Sequence, residues 1–133
     1  MNDAGVRRSS GRPPPQRGEI YMVYLDPAFG NEIGGYKVRP VAVVSINDLN
    51  DRGLPITVVP GSSSDRALGR EPFKNTVTVE PDDQNRLLNR TVFYTHQIRA
   101  ISPGRFTALP IGVLKRDSIQ EIETAVRYCL ALG

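Results

Sequence analysis

The chain has 133 residues, enough for one compact domain with little left over for a second. It is 39% hydrophobic and 23% charged with a formal net charge of +3, a balance that excludes a disordered polyelectrolyte and suits a polyanionic partner without requiring one. A single cysteine and a single histidine rule out an intrachain disulfide framework and leave zinc without a ligand set.

No apolar run reaches the roughly 18–20 residues of a membrane-spanning helix. The opening residues lack the apolar centre of a secretory signal. A cytoplasmic setting with no membrane contact is therefore expected. Residues 1–16, which include Arg7, Arg8, Arg12 and "GRPPPQR", read as a flexible basic arm. Consecutive prolines favour extended polyproline backbone, and the segment has no apolar face to bury.

The domain proper is expected over residues 17–133. "EIYMVYL" (19–25) is rich in strand formers, and "PVAVVSI" (40–46) is a continuous apolar run of strand length. "PITVVP" (55–60), "NTVTVE" (75–80), "TVFYT" (91–95) and "QIRAI" (97–101) follow, separated by turn-rich connections. Short strands at this spacing, without amphipathic helices between them, predict an antiparallel barrel or strongly curled sheet, mainly β with some α. Only "DSIQEIETAVRYCLALG" reads as a helix. Asp117 is its expected N-cap with Gln120 as capping-box partner, and Ile119, Ile122, Ala125, Val126, Cys129 and Leu130 share one face. Cys129 reads as a small buried hydrophobe.

One boundary poses a question. In "EIGGYKVRPVAVVS" (32–45) a charged, glycine-rich turn runs directly into an apolar strand, with Arg39 at its lip. On the residues alone, Arg39 is either a solubilising edge charge or a cation aimed at something negative. The order of elements here resembles the MazF/PemK-type toxins of bacterial toxin–antitoxin modules. Arg17, Gly18 and Glu19 match the family's R-G-D/E start, and Leu25, Asp26 and Pro27 its next element. Gly30, Glu32, Gly34, Gly35, Arg39 and Pro40 match the loop and its R-P ending. "VVPGSSS" and "HQIRAIS" are similar to two further family motifs, and the likeness extends from about Arg17 to Leu132.

The resemblance implies a small curled SH3-like, CcdB-like β-barrel with a C-terminal helix packed on it. It also implies a homodimer, a cognate antitoxin partner, and metal-independent, cofactor-free endoribonuclease activity on single-stranded RNA. Such cleavage needs a base to draw the proton from the ribose 2′-hydroxyl, donors for the charge on the phosphoryl oxygens, and an acid for the departing 5′-oxygen. The resemblance assigns Arg39 to the phosphate, where a planar guanidinium fork grips two oxygens. It assigns a hydroxyl to the same group, from Ser62 by position or Ser63 after a one-residue shift.

This chain departs from the family in two places. Its loop, "GGYKVRP", is two residues longer, which puts Tyr36 and Lys37 forward as RNA contacts by stacking and by charge. The residue before the family glutamine is His96 instead of an acid. Histidine changes protonation near neutral pH, so His96 and Glu32 are alternative general bases. Gln97 and Arg99, two apart on one strand face, either line the RNA groove or support the sheet. Two rival readings remain at this level: a CcdB-like toxin that binds gyrase without chemistry, and a weakened homologue that binds only antitoxin.

Overall fold

The computed structural model describes residues 12–35, 37–69 and 72–133. Twelve short elements follow one another. They are β1 (Glu19–Val23), β2 (Arg39–Val43), α1 (Asn47–Asn50), β3 (Ile56–Ser62), α2 (Asp65–Leu68), β4 (Thr76–Val79) and β5 (Thr91–Tyr94), then a 3-10 turn (Thr95–Gln97), β6 (Arg99–Ile101), a second 3-10 turn (Pro103–Arg105), β7 (Gly112–Val113) and α3 (Arg116–Cys129). The strands form one antiparallel sheet in the order β4-β5-β3-β2-β1-β7, with β6 also on β3.

β3 is the pivot of the curl. Its first half pairs with β6 through Ile56–Ile101 and Val58–Arg99, and its end pairs with β5 through Gly61–Phe93 and Ser62–Val92. β5 and β6 are thus one chain path interrupted by the turn at 95–97, which bulges away from the ladder. A close approach at Gly61 makes the bend possible. A β-carbon there would meet Thr91 Cγ2 at 2.8 Å and Phe93 Cδ1 at 2.9 Å.

Alternation along the strands gives the sheet two apolar faces. On one, Ile20, Ala42, Val59, Val77, Val79 and Phe93 pack with Ile122 and Ala125 of α3. On the other, Tyr21, Val23, Leu25, Val41, Val43, Ile56, Val58 and Ile101 are covered by Ile33 and Phe106 from loops. The helix is fastened at its middle by a bond between Arg17 Nη2 and Glu123 Oε2. Near its end, Thr95 Oγ1 and Cys129 Sγ lie 3.3 Å apart.

The sequence reading of the strands holds within one or two residues for most of them. The helix start does not: α3 begins at Arg116 with Lys115 as N-cap, so Asp117 lies in the first turn and makes no cap. There its charge still faces the positive end of the helix. Leu130 is 51% exposed and lies beyond the helix, off the core face. Among residues 12–16, Pro15 is buried and Gln16 Nε2 donates to Pro14 O, Pro15 O and Asp51 Oδ1, so this part of the arm lies against the domain. Residues 1–11 lie outside the described residues. No described helix is long and apolar enough to cross a membrane.

Candidate active site

The strand registers place the key side chains in one row. Val41 of β2 pairs with Pro60 of β3, where the β2–β3 ladder ends; Arg39 lies two residues before Val41 and Ser62 two residues after Pro60, so both stand at the same end of the two strands. Arg39 also pairs with Val23, Ser62 with Val92, and Val92 with Thr78. Directly opposed residues project to the same side of a sheet, so Arg39, Ser62, Val92 and Thr78 all belong to the face away from α3. Ser63 lies beyond the end of β3, in the turn that leads to α2, so only Ser62 of the two candidate serines is set by the strand.

Arg39 is held by the long loop that precedes it. Its Nε donates to Gly34 O at 3.0 Å, and among the described residues no carboxylate pairs with it. Both terminal nitrogens remain as a donor fork. Gly34 is required at this point, because a β-carbon would lie 2.4 Å from Ala28 Cβ and 3.2 Å from Leu25 O. The following Gly35 has φ +101, in a region that L side chains rarely adopt, and its N–H bonds Asp26 Oδ1 at 2.9 Å. The double glycine therefore shapes the loop so that one carbonyl aims the guanidinium.

The hydroxyl of Ser62 is only slightly accessible, with the residue 6% exposed. It donates to Ser64 Oγ at 3.2 Å and accepts from Ser64 N at 3.3 Å. Ser64 Oγ in turn accepts from Ala67 N at 3.2 Å, tying the β3 end to α2. Ser64 was not singled out from sequence. The signal was present in "PGSSS", but only the folded turn shows which hydroxyls bond each other.

Gln97 and Arg99 brace the loop from the opposite side. Gln97 Oε1 accepts from Ile33 N at 2.7 Å and from Arg99 Nη2 at 3.1 Å, while Gln97 Nε2 donates to Asn31 O at 3.1 Å. Arg99 Nη1 donates to Ile33 O at 3.2 Å. Burial pulls the Arg99 pKa below the usual guanidinium value; Glu32 opposes that shift and Arg105 adds to it. Glu32 is exposed, and its Oε1 accepts from Phe29 N at 2.8 Å. Glu32, His96, Gln97 and Arg99 line one recess of about 680 Å³.

His96 stands exposed on the 95–97 bulge. Asn75 Nδ2 lies 2.7 Å from its Nδ1. An amide NH₂ donates, so Nδ1 accepts and Nε2 carries the proton in that arrangement. Tyr94 meets the imidazole edge-on, with ring centroids 6.0 Å apart. Lys37 is exposed beside the loop, and Tyr36 lies outside the described residues. The structure thus brings Arg39 and Ser62 together on one row and gathers Glu32, His96, Gln97 and Arg99 round one recess.

This architecture coincides with that of a known family. The PemK-like, MazF-like toxins of type II toxin–antitoxin systems match residues 16–130. The chain belongs to that family. A curated relative, Endoribonuclease EndoA of Bacillus subtilis (strain 168), is 31% identical over 118 residues, covering 88% of this chain and 95% of its own. Family and relative together make this toxin an endoribonuclease.

Solved structures agree on the fold. A crystal structure of MazF (Form-I) from Deinococcus radiodurans matches with a TM-score of 0.72 at 20% identity, over 90% of this chain and 98% of its own. An endoribonuclease in complex with its cognate antitoxin, from a mycobacterial species, matches with a TM-score of 0.69 at 21% identity, over 90% and 97%.

Proposed function

We propose that the toxin cuts single-stranded RNA at preferred sequences without a metal ion, by attack of a ribose 2′-hydroxyl on the adjacent phosphorus. The arrangement that carries this reading is the Arg39–Ser62 pair, at the adjoining ends of β2 and β3, with the guanidinium fork left open by its bond to Gly34 O. Two parallel N–H donors from Arg39 bind the phosphoryl oxygens, and the Ser62 hydroxyl adds a third donor once its proton turns from Ser64 Oγ to the same group. Negative charge grows on those oxygens as the 2′-oxygen attacks, so donors fixed beforehand stabilise the transition state more than the ground state.

Proton transfer falls to Glu32 and His96, the carboxylate and the imidazole that share the recess. One accepts from the 2′-hydroxyl and the other donates to the departing 5′-oxygen. Atoms balance without a cofactor: the first product is a 2′,3′-cyclic phosphate and a free 5′-hydroxyl. Gln97 and Arg99 are positioning residues, because they hold Asn31 and Ile33 and through them the loop that carries Glu32 and Gly34. Lys37 and Tyr36 belong to the same loop and contact the RNA strand, and Ser63 contacts it from the turn that follows β3.

The toxin acts in the cytoplasm as a homodimer, and a cognate antitoxin covers the RNA-binding face. Neither gyrase binding nor antitoxin binding alone calls for an open guanidinium fork with a serine at the adjoining strand end, and the relatives named above are endoribonucleases or MazF. The test is an RNA carrying one 2′-deoxyribose at a mapped cut site. Cleavage at that position should vanish while other sites are still cut, and the remaining products should bear cyclic-phosphate ends. Cutting on the far side of the deoxy sugar at an unchanged rate would overturn the proposed chemistry.

A further inference from the structure

His96 lines two recesses. One is the recess of Glu32, Gln97 and Arg99; the other, of about 390 Å³, lies against β4 and β5. That volume falls in the range of roughly 300–1,000 Å³ typical of small-molecule sites. Its walls include Phe73, Asn75, Thr76, Arg90, Tyr94 and His96. Its floor includes Val92 and Thr78, the two residues that continue the Arg39–Ser62 row.

The register fixes how close this recess is to the proposed chemistry. Neighbouring strands lie about 4.8 Å apart, so Val92 is one strand from Ser62 and Thr78 about two, roughly 10 Å away. A nucleotide attached to a phosphate held at Ser62 therefore arrives over this floor. Tyr94 is half-buried with its edge against the imidazole, while Phe73 is 62% exposed. Arg90 lines the recess while paired with Glu80 at 2.6 Å. Asn75 uses its amide nitrogen on His96, and its Oδ1 accepts no hydrogen bond among the described residues. Aromatic surfaces, one open amide oxygen, threonine hydroxyls and a guanidinium make a set suited to a flat, hydrogen-bonding ring on a charged backbone.

We propose that this recess is a nucleobase subsite for a nucleotide flanking the cut bond, with Tyr94, His96 and Phe73 as stacking surfaces and Asn75 reading the base edge. The inference rests on the ribonuclease reading and adds to it a position of sequence preference set by β4 and β5, outside the long loop. His96 then borders two subsites, so its replacement disturbs both.

The experiment compares wild-type toxin with Phe73→Ala, Tyr94→Leu and Asn75→Ala on a pool of RNA of random sequence, mapping fragment ends and measuring KM and kcat on one good substrate. Circular dichroism confirms that each variant folds; Phe73, being exposed, serves as the variant least able to disturb the core. The expected result is relaxed preference at one flanking position in all three variants, with KM raised about ten- to hundredfold and kcat changed much less in Phe73→Ala, which does not touch His96, whereas Asn75→Ala and Tyr94→Leu also lower kcat through His96. Unchanged preference at every position and unchanged KM in all three folded variants would overturn the subsite and leave the nuclease intact. A wild-type protein that cuts no RNA would instead overturn the reading on which the subsite rests.

Discussion

The two faces of the curled sheet use alternate residues of the same strands and reach different ends. The face under α3 is mainly apolar: Ile20, Ala42, Val59 and Phe93 are each wholly buried in the cluster that packs on the helix. The opposite face is apolar only over its middle, where Ile33 and Phe106 cover Val41, Val58 and their neighbours. Towards the ends of β2, β3 and β5 that apolar cover gives way to polar groups: Arg39 is half-buried, Ser62 lies buried beside Val92, and Thr78 is exposed. One face holds the fold together. The other is given over to a site where its cover runs out, so a strand position can be read as structural or chemical from its parity and its distance from the covering loop.

Replacing Phe93 with alanine should break the first face. A fully buried aromatic ring leaves a cavity, and the loss should be about 3–5 kcal/mol by urea denaturation. The same experiment on the second face should come out differently. Arg39→Lys keeps the charge but loses the planar fork, so RNA cleavage should fall about a hundredfold while stability moves by less than about 0.5 kcal/mol. Equal damage to folding in both variants would dissolve the contrast between the faces.

A smaller effect is expected from Gly34→Ala. The new methyl collides with Ala28 and displaces the carbonyl that aims Arg39, so activity should fall about tenfold in steady-state assays, with a lesser change in the denaturation midpoint. The smallest effect tests the covered middle of the second face. Burial, then the hydrogen bond to Glu19 and its charge, raises the Tyr21 pKa above the ordinary tyrosine value. The folded protein therefore binds that proton more tightly than the unfolded chain. The stabilisation is complete below about pH 10 and declines as pH rises above it. Tyr21→Phe should flatten the fall in stability between pH 9 and 11, as measured by denaturant titration across that range.

Much of this division could be read from the chain, for definable reasons. The strands announce themselves by β-branched and aromatic residues between glycine and proline turns, and the helix by its apolar spacing. β7 could not be read, because Gly112 and Val113 are too short a run to show a period; it forms by pairing with Glu19 and Ile20. The helix start was misplaced because an N-cap depends on backbone geometry, and Lys115 occupies it without a side-chain bond.

At the site, Arg39 and Ser62 were legible as residue types in a familiar order. Their meeting at adjoining strand ends was not, since it comes from the β2–β3 register. Gln97 and Arg99 were left between groove lining and support. In the structure they line a recess and hold the loop by backbone bonds that no motif records. Asn75 and Tyr94 escaped notice because each reads as an ordinary strand-edge residue until the bulge at 95–97 turns His96 towards them.

The central claim is that an open guanidinium on the uncovered face does the work of phosphate activation without a metal. Its most direct test is cleavage of a long single-stranded RNA by wild-type and Arg39→Ala toxin in excess EDTA. The account predicts discrete cuts by the wild type and their loss in a variant that remains folded. Equal cutting by both proteins would contradict it, as would wild-type cleavage that EDTA abolishes and added divalent cation restores.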